Sequence, residues 1–202
     1  MALLRIPGEM SARSRAIDAG PGQVLLDGGQ NSDEIFIVKS GLVQIDHKFP
    51  GGAKSIRIAG PGELAGEDAF LGEPYRQRLE ALTSARVLAL NIADVDSSVA
   101  ACSWLLSQLT RQLRQANEER HWMRIHSVDS RVQLHLLSLH DKNEGGEIPI
   151  SQADFAHVVG ATRETISTAL NRLARSGAIG LSRRSITILK PEHLELQREL
   201  SA

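Results

Sequence analysis

Three observations predict an α+β fold for this chain of 202 residues. Residues 20–90 alternate short β-rich stretches with glycines, which is typical of a small antiparallel barrel or sandwich. Residues 99–123 contain neither proline nor glycine and predict one long helix. Residues 150–189 contain two short amphipathic stretches, followed by two apolar stretches around a basic turn. The sequence therefore predicts a β-rich N-terminal domain, a connecting helix and a C-terminal domain in which two helices precede a hairpin.

The composition fits two small domains without a membrane-spanning segment. Hydrophobic residues make up 42% of the chain, as in ordinary globular proteins, and the formal net charge is −1. The apolar runs are too short to cross a membrane and the N-terminus lacks a signal-peptide core, so we expect a cytoplasmic protein that contacts no membrane. Cys102 is the only cysteine, which excludes an internal disulfide and a cluster held by four thiolates.

Six stretches of the N-terminal domain are predicted to be strands, because β-branched and other apolar residues are concentrated there between turn residues. These strands are Gln23–Leu26, Ile35–Val38, Leu42–Ile45, Ser55–Ala59, Leu79–Leu82 and Val87–Leu90. The glycines expected to form turns between them are Gly22, Gly29, Gly41, Gly52, Gly62 and Gly66.

The long helix carries a seven-residue repeat. Side chains at alternating spacings of four and three fall on one stripe: Cys102, Leu106, Leu109, Leu113, Ala116, Arg120 and Met123. The pattern alone fits either a coiled-coil dimer seam or a helix packed on its own domain. Burying the charge of Arg120 in a seam costs free energy unless the helices diverge there or Arg120 pairs with Glu118 or Glu119.

The C-terminal segment has the layout of a winged helix-turn-helix. Ser151 is a preferred N-cap for a first helix, Gly160 permits a sharp turn, and Thr162 caps a second helix from Arg163 to about Arg175. The hairpin strands are expected at Ile179–Leu181 and Ile186–Leu189. The stretch 126–129 is the expected hinge into this domain, with Ser127 or Asp129 capping the helix that follows.

The second helix has an apolar stripe and an opposite face that carries Arg163, Glu164, Ser167, Asn171 and Arg172. The predicted base-reading residues are Arg163, Glu164, Ser167 and Thr168. Arginine can bind guanine bidentately, glutamate accepts from cytosine N4, and serine or threonine bonds to several base edges. A polar face can also be merely solvated. Between residues 163 and 190, however, five arginines and one lysine stand against a single acid. This positive charge favours binding to double-stranded DNA.

The run Val-Gly-Ala-Thr-Arg-Glu-Thr-Ile-Ser at 159–167, followed by Leu-Asn-Arg-Leu at 170–173, resembles the recognition segment of the bacterial cyclic-AMP receptor protein and fumarate-nitrate regulator superfamily. The resemblance implies that Arg163 and Glu164 contact bases, with Ser167 matching a base-contacting serine. Thr168 stands where many members have a second arginine, so we expect a different half-site. The β-rich half is similar to the β-roll sensor domain of that family.

These features together predict a homodimeric transcription regulator on a near-palindromic site, since two helix-turn-helix motifs need a matching two-fold axis. The long helix would form the dimer, and the loop 140–147 is a candidate contact for RNA polymerase. The domains expected are a β-roll at 1–97, a dimerisation helix and hinge at 98–127, and a DNA-binding domain at 128–202. Predicted phosphate contacts are Ser151, Thr162, Arg172, Arg183 and Arg184.

The resemblance also implies an effector pocket in the β-roll, with Gly66, Glu67, Arg76, Arg78, Gln112 and Asn117 as its candidate residues. Two departures argue against control by cyclic AMP. Glu80 follows the pocket arginines where a hydroxyl is expected, and Ala116-Asn117 replaces the threonine and serine that reach adenine. A different anionic effector, such as a cyclic dinucleotide or an oxo-acid, and action without any effector both remain open.

Motifs of common enzyme classes are absent: the chain has no Walker loop, Gly-x-Ser-x-Gly or His-Glu-x-x-His, and its seven histidines are dispersed. We therefore expect neither an enzyme nor a metal site. The alternative to a DNA-binding regulator is a ligand-binding or protein-interaction module that reads no specific DNA sequence.

Overall fold

The computed structural model describes residues 8–30, 33–48, 54–125 and 127–194. They form two compact units, and the division between the units falls inside the long helix, between Asn117 and Glu118. Gly52 and His126, which the sequence assigns to a turn and a hinge, lie outside the described residues.

The first unit is built from antiparallel strands. Their bounds are β1 Arg15–Ala19, β2 Val24–Leu26, β3 Glu34–Ser40, β4 Val43–Lys48, β5 Lys54–Ala59, β6 Leu64–Ala65, β7 Gln77–Ala81 and β8 Ala85–Asn91. Over the described residues they form two four-stranded sheets, in the orders β1-β8-β3-β6 and β2-β7-β4-β5. Side chains from both sheets, including Ile35, Ile45, Leu79 and Leu90, share one buried core. The predicted antiparallel β-rich domain is confirmed.

Each of the six predicted strands overlaps a strand of the structure, whereas β1 and β6 were not predicted from the sequence. β1 is an edge strand whose Arg15, Ala16 and Asp18 are exposed, so it lacks the apolar alternation that marks a half-buried strand. β6 has only two residues and is too short to give a pattern. These omissions follow from weak local signals and do not change the fold class.

The first unit also contains α1 Gly8–Arg13, α2 Ile92–Asp96, a 3-10 turn at Glu67–Leu71 and the larger part of α3 Val99–Ile125, whose last turns belong to the second unit. The predicted long helix is confirmed as α3. Its first turns pack Ala101, Trp104 and Leu105 into the β core. In the described ranges, no helix combines the length and apolarity that crossing a bilayer requires.

The second unit contains α4 Val128–Lys142, α5 Gln152–Val159, α6 Arg163–Arg175, β9 Ile179–Leu181 and β10 Ile186–Ile188. Phe155, Val159, Ile166 and Leu170 are fully buried between the helices, as their spacing predicts. β9 and β10 pair antiparallel, so the predicted hairpin is confirmed. The second strand ends at Ile188 rather than at Leu189, whose side chain is exposed beyond the last pair.

Local capping explains where these helices begin. Ser127 caps α4 by accepting from the Ser130 amide at 3.2 Å, which decides between the two predicted caps, and Asp129 lies in the first turn instead. Ser151 accepts from the Asp154 amide at 3.0 Å, and Thr162 from the Thr165 amide at 3.3 Å.

His135 of α4 is buried against Trp122, with ring centroids 5.8 Å apart in an edge-on arrangement. Burial, together with the positive charges of Lys142 and Arg131, lowers the pKa of His135 to about 4. The unfolded chain therefore binds this proton more readily between pH 6.5 and 4. We expect the free energy of unfolding to be retained above pH 6.5 and to fall by up to about 3 kcal/mol as the pH approaches 4.

Urea denaturation at several pH values, followed by Trp122 fluorescence in a Trp104→Phe background, measures this dependence. Between pH 6.5 and 5, the free energy of unfolding of the His135→Leu variant should depend on pH much less than that of the parent. The matched variant His157→Gln changes an exposed histidine of the same unit and should keep the parent's dependence. Equal pH slopes for His135→Leu and the parent would contradict the assignment.

Candidate nucleic-acid interface

The polar face of α6 carries an open surface depression with a volume of about 400 Å³. The four side chains assigned to base reading all border this surface, whose full lining is Arg163, Glu164, Ser167, Thr168, Asn171 and Arg175. The apolar residues of α6 that turn away from it are Ile166, Ala169 and Leu170, and all three are buried. The structure therefore brings the predicted base-reading residues together on one exposed face.

The side chains on this face differ in how firmly they are held. Thr168 Oγ1 donates to the Glu164 carbonyl at 3.0 Å, and Asn171 Nδ2 donates to the Ser167 carbonyl at 2.8 Å and to its hydroxyl at 3.3 Å. Among the described residues, no hydrogen bond or ion pair engages the side chain of Arg163 or Glu164. These two exposed groups at the start of α6 keep their bonding capacity for another molecule.

The turn before α6 requires Gly160, which lies at φ 70° in the left-handed region. Thr162 then has extended φ and ψ of −75° and 153°, and its hydroxyl caps the helix. The hydroxyl of Ser151 likewise caps α5 and also donates to Asp154 Oδ2 at 2.6 Å. Both predicted phosphate contacts are thus engaged in capping, and they fix the two helix N-termini.

Arg183 and Arg184 are exposed in the turn of the β9–β10 hairpin. The turn is closed by the Ser182 amide, which donates to the Ser185 carbonyl at 3.0 Å. This hairpin, residues 179–188, is called the wing below. It presents two neighbouring guanidinium groups on a short, hydrogen-bonded turn.

Arg172 is placed differently from the other predicted phosphate contacts. Its Nη1 donates to Oδ2 of Asp129, in the first turn of α4. The guanidinium is therefore paired with a carboxylate of the same chain, and its contact with phosphate stays a prediction. Sequence spacing gave no sign of this pair, since its partners are 43 positions apart.

Most of the predicted dimer residues form an exposed stripe along α3, beside the residues that pack into the β core. Leu106, Leu113 and Met123 are 67%, 60% and 47% exposed. The remaining exposed members of the stripe are Cys102, Ala116 and Arg120. Leu109 differs because it is partly buried against the β core. Val99, not predicted, extends the same repeat by three positions and is 88% exposed.

Three of the predicted effector residues meet in a polar cluster inside the first unit. Glu67 accepts from Gln112 Nε2 and from Gln77 Nε2, each at 2.8 Å, and Gln77 Oε1 accepts from the Gly66 amide at 2.9 Å. Arg57 lies 3.4 Å from Glu67 and donates to the Leu64 carbonyl at 2.7 Å. Both carboxylate oxygens of Glu67 are thus occupied by the chain itself.

The structure does not bring Arg76, Arg78 and Asn117 into this cluster. Arg76 is exposed and pairs with Glu73, and Arg78 pairs with Glu80 on the other face of β7. Successive strand residues point to opposite faces. Gln77 therefore points inward, where the sequence predicts Arg76 and Arg78. Asn117 is exposed.

Gln77 and Arg57 are functional candidates that the sequence analysis missed. Gln77 lies two and four positions before the buried Leu79 and Ala81, so the alternation of β7 could have placed it on the same inward face. Alternation could not have found Arg57, because Ile56, Ile58 and Ala59 are all buried and so both faces of β5 are covered. Burial and Arg57 lower the pKa of His47, the pairing neighbour of Gln77, although nearby acids oppose this shift. No group of three or more metal-ligating side chains occurs within the part of the chain that the structure describes.

Comparison with known proteins matches both units. Residues 17–101 match the model of the cyclic nucleotide-binding domain, and residues 130–196 match that of the Crp-like helix-turn-helix domain. The chain is 28% identical to a CRP-like cAMP-activated global transcriptional regulator of Mycobacterium tuberculosis, over 92% of this chain and 88% of that protein. It is 27% identical to transcriptional regulator LdrP of Thermus thermophilus, over 83% of this chain and 88% of that protein.

The fold agrees with a solved structure. A CRP/FNR-family transcriptional regulator from Thermus thermophilus superposes with a TM-score of 0.78 at 23% identity, covering 92% of this chain and 98% of that one. The order of the two matched domains and the recognition segment at the start of α6 lead to one conclusion: this chain belongs to the cyclic-AMP receptor protein and fumarate-nitrate regulator superfamily of DNA-binding transcription regulators.

Proposed function

We propose that this chain is a non-enzymatic transcription regulator that binds a near-palindromic DNA site as a homodimer, with α6 of each copy in a major groove. The observation that carries the proposal is the exposed pair Arg163 and Glu164 in the first turn of α6, uncommitted among the described residues. The N-terminal end of the second helix is the part that reads bases in helix-turn-helix proteins.

The roles follow from the chemistry of each group. Arg163 would bind O6 and N7 of a guanine, and Glu164 would accept from N4 of a cytosine. Ser167 and Thr168 lie one turn further on and would contact the next base edges or the T methyl group. A selection of bound sequences from randomised duplex DNA tests this assignment. Enrichment of no sequence at all would favour a ligand-binding or protein-interaction module instead.

The homodimer is proposed from the exposed stripe on α3. Exposed apolar side chains at heptad spacing lose contact with water when a second copy packs against them. From Val99 to Met123 the stripe is about 36 Å long, enough for a parallel two-stranded seam. The resulting two-fold axis would match two half-sites related by the same symmetry.

The backbone of the DNA would be held by the wing and the helix N-termini. Arg183 and Arg184 supply charge, while the caps Ser151 and Thr162 orient the first-turn amides of α5 and α6 toward phosphate. Such contacts position the protein on DNA without selecting the sequence.

The double variant Arg183→Ala with Arg184→Ala should lose affinity for all sequences alike. Each phosphate contact contributes a slope of about 0.9 to the dependence of log affinity on log salt, so four arginines in a dimer predict a slope shallower by up to about 3.6. Titrations at several salt concentrations measure it. Arg111→Ala with Arg114→Ala, two exposed arginines of α3 outside the seam, is the matched control. Equal slopes for the wing variant and the parent would exclude the wing as a phosphate clamp.

The polar cluster around Glu67 argues against cyclic AMP as the effector. Gln77 and Gln112 already occupy the carboxylate, and Arg57, the cation of the cluster, is paired with Glu63 and Glu67. A cyclic phosphate would have to displace these contacts. We infer that the protein acts without an effector or with a different small anion. Mass spectrometry of protein purified without ligand, with DNA titrations in the presence and absence of cyclic AMP, separates these cases.

RNA polymerase is the proposed protein partner of residues 140–147. The sequence predicts a loop over this stretch, whereas in the structure residues 140–142 form the last turn of α4 and the loop begins at Asn143. Asp141, Glu144 and Glu147 are exposed there, and Glu144 lies at φ 50°, which holds the loop in an uncommon conformation. Transcription in vitro from an operator-bearing promoter, with these acids changed to serine, tests the contact. Unaltered transcription would contradict it.

A further inference from the structure

The ion pair between Arg172 of α6 and Asp129 of α4 borders the surface that would read DNA. It lies on the rim of a concavity of about 430 Å³, which Glu164, Thr165 and Thr168 also line. Glu164 and Thr168 border the base-reading surface as well. The paired arginine is therefore a direct neighbour of the proposed interface.

The position of Arg172 determines what it could contribute to DNA binding. It follows Arg163 by nine residues, which is about 13 Å along the helix axis. An arginine that far from the entering end of the helix would meet the sugar-phosphate backbone rather than base edges. Contact with phosphate would add affinity for every sequence, and pairing with Asp129 withholds that contribution.

The pair is stable enough to form and weak enough to be exchanged. Arg172 and Asp129 remain 65% and 45% exposed, and an ion pair exposed to water contributes little to stability. Asp129 lies in the first turn of α4, where the helix dipole favours a carboxylate. Carboxylate and phosphate oxygens present the same kind of acceptor to a guanidinium, so the two compete for it.

We propose that Asp129 is an intramolecular phosphate mimic that keeps Arg172 off the DNA backbone and lowers the sequence-independent part of the affinity. Asp129 is then a positioning residue that acts through Arg172. The proposal rests on the DNA-binding function proposed above, and it assigns Arg172 a role opposite to a constant phosphate contact.

The test is Asp129→Asn, which removes the charge and nearly preserves the shape. Release of Arg172 should steepen the slope of log affinity against log salt by about 0.9 for each copy bound. Lowering the salt from 1 M to 0.1 M should therefore raise the affinity of the variant for non-operator duplex by a factor about 8-fold larger, per copy, than it raises that of the parent. The order of preference among sequences should not change, because base reading is untouched.

Two further variants identify the cause. In an Arg172→Gln background, Asp129→Asn should leave the salt slope unchanged, whereas simple repulsion between Asp129 and DNA would tighten binding there as well. Glu192→Gln changes an exposed acid of the same unit that belongs to none of the proposed surfaces, and it serves as the matched control. A parent chain that binds no duplex would overturn the proposed function together with this inference. A parent that binds, with an Asp129→Asn slope like its own or equal effects in both backgrounds, would overturn the inference alone.

Discussion

Changing Leu106 and Leu113 together to alanine is expected to separate the dimer into single chains and to remove operator binding at nanomolar concentration. The two side chains are 67% and 60% exposed on α3, so most of their apolar surface is buried only when a partner is present. With about 1.5 kcal/mol for each of four leucines, the dimer loses about 6 kcal/mol, equivalent to a ~10⁴-fold weaker association.

Sedimentation equilibrium measures the association, and a gel shift on the selected operator measures binding. Each chain should stay folded, because the leucines face away from the β core. Leu71→Ala is the matched control, since this leucine is 70% exposed but lies in the 3-10 turn outside the stripe. A double variant that sediments as a dimer would refute the seam on α3.

The second large effect is expected for Arg163→Ala. A bidentate contact of arginine with guanine is worth about 1–3 kcal/mol, and a dimer makes two. Operator affinity should therefore fall about 10³-fold, while affinity for unrelated duplex falls much less. Competition titrations with operator and non-operator DNA measure both quantities.

Two variants on the same helix sharpen the interpretation. Glu164→Ala should relax the preference at one base-pair position while sequence-independent binding is kept. Arg175→Ala is the matched arginine control, twelve residues further along α6 and exposed on the same face. Its effect should be similar for all sequences. Equal losses on operator and non-operator DNA for Arg163→Ala would contradict base reading by this residue.

The parts of the fold that depend on neighbouring residues could be predicted from the sequence. The caps at Ser151 and Thr162, the turn at Gly160 and the stripe on α3 all rest on interactions within a few residues, and the structure contains each of them. The exposed edge strand β1 could not be predicted, because a strand with little buried surface has no apolar alternation.

The effector cluster and the ion pair depend on tertiary structure, and there the sequence was less informative. The sequence predicts Arg76 and Arg78 in an anion site, but in the structure Gln77 points inward and the two arginines do not. The contact of Gln112 with Glu67 spans 45 positions, and that of Arg172 with Asp129 spans 43. Separations of this size leave no local pattern, so residue type alone suggested roles that geometry reassigns.

Helix α3 has Ala101, Trp104 and Leu105 in the β core and an exposed, largely apolar stripe on a neighbouring face. On evolutionary timescales such a helix has few sites at which substitutions are neutral. If α3 forms the proposed dimer, a larger side chain in the core would tilt the helix and misalign the seam, so changes on these two faces should arise in compensating combinations. The outward arginines between the two faces, such as Arg111 and Arg114, are where unconstrained drift is expected.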